Sequence, residues 1–108
     1  MSSSQRAEFE RLAREFLAQH ASLRHEWRVV PSTISGERLD LVMTPPAPSV
    51  PEVWATLRDH QITVGVDREA SDFETWGRPM TDEQVAAEAF AHFVTQLRER
   101  HYIHDEAR

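Results

Sequence analysis

The chain has no cysteine, no lysine and no asparagine, and only three glycines in 108 residues. Without cysteine there is no disulfide to staple the fold and no thiolate to serve as nucleophile or metal ligand. Gly36, Gly65 and Gly77 stand alone, so neither a dinucleotide fingerprint nor a phosphate-cradling P-loop can be built from them. No apolar run approaches the ~18 residues that a membrane-spanning helix needs. The opening MSSSQRAEFERLAREF lacks the uninterrupted apolar block of a secretory signal. These absences lead us to expect a cytoplasmic chain that does not bind membranes.

What is present fits one globular domain spanning 1–108, with residues 1–4 and 104–108 expected to fray. Hydrophobic residues make up 40% and charged residues 28%, enough of each for one real core inside a polar surface. All twelve basic residues are arginine, against eighteen acids, for a net charge of −6. The charge is unevenly placed. Between Asp67 and Glu88 seven acids face two arginines, so this window alone carries −5. Phosphate contacts need clustered Lys and Arg, so nucleic acid is not the expected partner. A basic protein surface is.

Periodicity supplies the architecture. Phe9, Leu12, Ala13, Phe16, Leu17 and His20 recur at three- and four-residue spacing and predict an amphipathic helix from about Ser4 to His20. EWRVV and RLDLVMT alternate as strands, with Ser35-Gly36 a plausible turn between them. PPAPSVP, with four prolines in seven residues, predicts an extended connector. EVWATL is ambiguous. Val53, Trp54 and Leu57 could form a helical turn after Pro51, whereas Val53, Ala55 and Leu57 could be the inner face of a strand. We favour a strand, paired as a hairpin with ITVGVD, in which Gly65 could admit a bulge or a bulky neighbour such as a Trp.

The last helix is marked by a capping box at Thr81 and Gln84, a staple of Met80 and Val85, and an apolar stripe reaching about Arg100. Tyr102 and Ile103 could dock after it. The expected fold is α+β: an N-terminal helix, a four-stranded antiparallel sheet and a C-terminal helix in a two-layer sandwich.

Catalytic patterns are missing from this frame. No G-x-S-x-G elbow or H-E-x-x-H pair occurs. His101 and His104 could share a helical face, and Glu88 and His92 are four apart, but no third ligand has a fixed spacing. We expect no metal and no cofactor. Asp67, Glu69, Asp72 and Glu74 could hold two oxygens for acid–base work, yet a catalytic acid needs burial. This stretch reads as an exposed loop.

That loop, VGVDREASDFETWGR, is the candidate site. It offers Phe73 and Trp76 among interleaved carboxylates, the composition of an interface for an arginine-rich partner. Phe73 is expected to turn inward beneath the last helix, and the direction of Trp76 stays open. The candidate contacts are Asp67, Glu69, Asp72, Glu74 and Trp76, with Asp82 and Glu83 nearby.

From Val53 to Leu97 the chain resembles the small immunity proteins of bacterial polymorphic toxin systems. Several such families carry a His-x-His-Phe-acid motif between a strand like ITVGVD and a helix. The matching positions here are Ala70-Ser71-Asp72-Phe73-Glu74, which keep Phe and the acid and lack both histidines. The resemblance implies a non-enzymatic inhibitor that binds one cognate toxin with a basic surface. The other function we weigh is a small-molecule-binding or regulatory domain, with a pocket between sheet and helices lined by Trp27, Trp54 and Phe90.

Overall fold

The structure is a computed structural model that describes residues 4–31, 38–74 and 79–103. Among the described residues the elements are α1 (Gln5–Gln19), β1 (His25–Val30), β2 (Arg38–Met43), β3 (Val53–Leu57), β4 (Gln61–Val66), β5 (Glu69–Glu74) and α2 (Asp82–Glu99). The strands form one antiparallel meander in the order β1-β2-β3-β4-β5. Both helices lie side by side on one face of it. This is the expected α+β sandwich with one strand more than periodicity indicated.

The extra strand corrects the reading of residues 67–74 as loop. Glu69-Ala-Ser-Asp-Phe-Glu has no β-branched residue, so its local preference for a strand is weak. Its pairing comes from β4, along a register from Val66 opposite Glu69 to Gln61 opposite Glu74. Asp67 and Arg68 form the two-residue turn, and Asp67 takes a positive φ of 53°. Aspartate tolerates that left-handed conformation better than most residues, which lets a hairpin form without glycine.

The other elements follow their sequence signals. Ser4 caps α1 by accepting from the Ala7 amide at 3.1 Å. His20 closes the helix, its Nδ1 2.9 Å from the Phe16 carbonyl and its ring stacked on Phe16. EVWATL is indeed a strand hairpinned to β4, with Val53, Ala55 and Leu57 fully buried. The proline connector between β2 and β3 contains neither helix nor strand. At α2 the Thr81 hydroxyl accepts from the Gln84 amide (3.1 Å), and Gln84 Oε1 accepts from the Thr81 amide (2.9 Å). After α2, Tyr102 is buried; its hydroxyl donates to the Pro51 carbonyl (2.7 Å) and accepts from the Val53 amide (3.1 Å). Ser35-Gly36 and His104 lie outside the described residues.

The core fills the space between layers. Leu39, Leu41 and Met43 of β2, Ile62 and Val64 of β4, and the helix residues Phe9, Phe93 and Leu97 are all buried. Each such side chain contributes roughly 1.5–3 kcal/mol by leaving water. Phe9, Phe16, Phe90 and Phe93 interlock edge-to-face between the helices, with ring centroids 5.7–5.8 Å apart. At the β1 edge the cover thins. Trp27 is half-buried with the Arg14 guanidinium 4.4 Å from its ring, and Val29 is 58% exposed.

Candidate partner-binding face

Strand alternation sends every second side chain to the side away from the helices, and no described element packs there. The register aligns these residues in rows. One row crosses the sheet as Arg28, Asp40, Thr56, Thr63 and Asp72; the next runs Glu26, Val42, Trp54, Gly65 and Ala70. Such a face could have been uniformly polar. Instead it carries a tryptophan and a half-buried ion pair.

Trp54 has no helix against it, so its indole lies back on the sheet over Gly65. A Cβ at position 65 would clash with Cζ2, Cε2 and Cη2 of the six-membered ring. The indole Nε1 donates to the Asp67 carbonyl at 2.9 Å, which fixes the ring's direction. Gly65 therefore does what the sequence suggested, admitting a Trp. Beside the ring is an open cleft of about 420 Å³ lined by residues including Arg38, Asp40, Val42, Thr56, Arg58 and Thr63.

Electrostatics sharpen this cleft. Arg38 Nε sits 3.4 Å from Asp40 Oδ1, long for a charge-assisted bond, and neither atom has a hydrogen-bond partner among the described residues. Both atoms are shielded from water, while Arg38 Nη2 donates to Asp40 Oδ2 at 3.4 Å, so the pair is held by one long bond and is only partly satisfied. A group brought in by a partner could complete it. At the rim Arg28 donates to Glu26 (2.8 Å), and this bond holds the Glu26 carboxyl below the usual range.

The sequence-derived contacts divide over several locations. Asp72 and Glu74 are on the open face, accepting from Thr63 Oγ1 and Gln61 Nε2, each at 2.7 Å. Glu69 alternates with them onto the helix side of the sheet. Asp67 is occupied within the fold: its Oδ1 accepts from the Glu52 amide at 2.9 Å, and its carbonyl takes the Trp54 bond. Asp82 is in the first turn of α2 and accepts from Gln5 Nε2 (3.1 Å), with Glu83 exposed next to it. Trp76 lies outside the described residues. The acids of this window therefore do not form one patch, and Asp72 with Glu74 are the pair brought together.

Phe73 turns inward as expected, packed against the core with its ring 5.4 Å from that of His92. The supposed pocket lined by Trp27, Trp54 and Phe90 is not formed. Trp27 and Phe90 pack toward the core from the helix side, whereas Trp54 lies on the opposite face of the sheet. Arg38, Asp40 and Arg58 were missed as site residues, and Trp54 was expected in a pocket on the helix side of the sheet rather than on this face. The signal was alternation: Arg38, Asp40 and Trp54 each neighbour a buried apolar position on their own strand, and Arg58 follows the buried Leu57 just past the end of β3. No helix among the described residues is long and apolar enough to cross a membrane. No family model matches the chain, and no curated protein or solved structure matches it either.

Proposed function

We propose that this chain is a non-enzymatic protein-binding domain and, most concretely, an immunity protein that binds and neutralises a cognate bacterial toxin in the cytoplasm. The observation that carries the reading is the uncovered sheet face. A tryptophan is locked on it by a hydrogen bond, next to a half-buried arginine–aspartate pair and a cleft. Trp and Arg are the residue types that dominate interface energetics, above all in partly desolvated settings. Asp72 and Glu74 extend the face with carboxylates whose partners among the described residues are neutral side chains. A net charge of −6 favours encounter with a basic toxin surface.

The test is protection of growth. The chain is co-expressed with the toxin candidate encoded in the adjacent reading frame, and survival is compared between wild type and an Asp72→Arg, Glu74→Arg double variant. Wild type should protect and the variant should not, with both folded by circular dichroism. Equal protection by the two would remove the open face from the account, and no protection by wild type would remove the toxin.

A further inference from the structure

The hydrogen-bonding direction along β5 adds something the open face does not. Arg58 N–H donates to the Gln61 carbonyl at 2.9 Å, so Gln61, Thr63 and Gly65 direct their main-chain groups to β3. Ile62, Val64 and Val66 then bond to their partners Phe73, Ser71 and Glu69 on β5. Ala70, Asp72 and Glu74 turn their amides and carbonyls to the other side of β5, where no strand pairs with them among the described residues. Three of the six side chains of β5 are acidic, and no ion pair involves Glu69, Asp72 or Glu74 among the described residues. On the other edge strand, β1, the charges Glu26 and Arg28 already neutralise each other at 2.8 Å.

A second observation comes from the helix layer. Between α2 and β5 lies a cleft of about 270 Å³ lined by residues including Glu69, Ser71, His92, Gln96 and Arg100. Gln96 Oε1 and Arg100 Nε are shielded from water there, without a hydrogen-bond partner among the described residues. One is an acceptor lacking a donor and the other a donor lacking an acceptor. A side-chain amide supplies both at once.

We propose that the partner adds a sixth strand to β5. The strand is an extended basic segment, bonded to the main chain of Ala70, Asp72 and Glu74. Its arginines or lysines lie opposite Asp72 and Glu74 on the open face, and its alternate residues, carrying amides, turn toward Gln96 and Arg100. Strand addition draws affinity from main-chain bonds and specificity from alternate side chains. The acids that guard the edge against indiscriminate pairing are then the groups that select a basic strand. The inference rests on the protein-binding reading and names how the partner is held.

A synthetic peptide of alternating arginine and asparagine, capped at both ends, probes it without the natural partner. It is titrated to millimolar concentration into the labelled protein while amide resonances are followed. A matched peptide, N-methylated at every second residue, keeps the charge and removes the pairing edge. Shifts should centre on residues 69–74 and on Gln96 and Arg100, and the methylated peptide should bind about tenfold weaker or worse. Equal binding of both peptides, shifts elsewhere, or none at β5 would overturn strand addition. The growth assay judges the protein-binding reading separately, since a failed peptide titration leaves toxin protection unaffected.

Discussion

The indole of Trp54 occupies the space that a side chain at Gly65 would need. The two residues are direct cross-strand partners, so the glycine is as much a part of the open face as the tryptophan. Replacing glycine by alanine in a strand ordinarily relieves about 0.5–1 kcal/mol of entropic cost. Here the clash should reverse that sign. Gly65→Ala is expected to destabilise by about 1–3 kcal/mol in urea unfolding, the usual range for overpacking. Repeated in a Trp54→Ala background, the same change should cost nothing or stabilise. A cost that survives loss of the indole would disprove the close approach.

Tyr102 provides a pH signature. Burial raises its hydroxyl above the usual 10.0, with the Val53 amide acting in the opposite direction. The folded value lies above the unfolded one, so the stability contribution is complete below the unfolded pKa. It is lost as pH rises through the folded value. Tyr102 is the only tyrosine, so ultraviolet titration of tyrosinate reports this group alone. Ionisation is expected above pH 10.0, accompanied by falling stability. Tyr102→Phe should cost about 1–3 kcal/mol at neutral pH, because the buried Val53 amide loses its partner.

The capping box at α2 should be measurable by itself. Thr81→Ala removes the acceptor for the Gln84 amide and should lower stability by about 1 kcal/mol, while Thr81→Ser should stay within a few tenths. Calorimetric melting of the three proteins checks the order.

These residues also mark how far the sequence could be read. Thr81 with Gln84, and the spacing of Phe9, Ala13 and Leu17, act within one or two turns of chain, so their consequences are visible without the fold. Pairing of EVWATL with ITVGVD was readable for the same reason, from alternation on both arms of a short hairpin. Strand β5 was not, because Glu69 to Glu74 owes its conformation to β4 rather than to its own side chains. The site depended on that register. Asp67, Glu69 and Asp72 look like one acidic run in sequence, yet the pleat and the turn send them in three directions. Trp54 belongs to the open face because Val53 and Ala55 on either side of it are buried. Which of the two faces remained uncovered became clear only with both helices in place.

The most direct measurement is the affinity of the cognate toxin, by titration calorimetry, for four forms of the chain. These are wild type, Trp54→Ala, Arg38→Ala and Glu15→Arg, the last on the exposed surface of α1. An interface centred on the open face predicts losses of about 2 kcal/mol, roughly thirtyfold, for one or both of the first two substitutions. Glu15→Arg should bind as wild type does. Unchanged affinity in both open-face variants, or a loss confined to Glu15→Arg, would contradict the account.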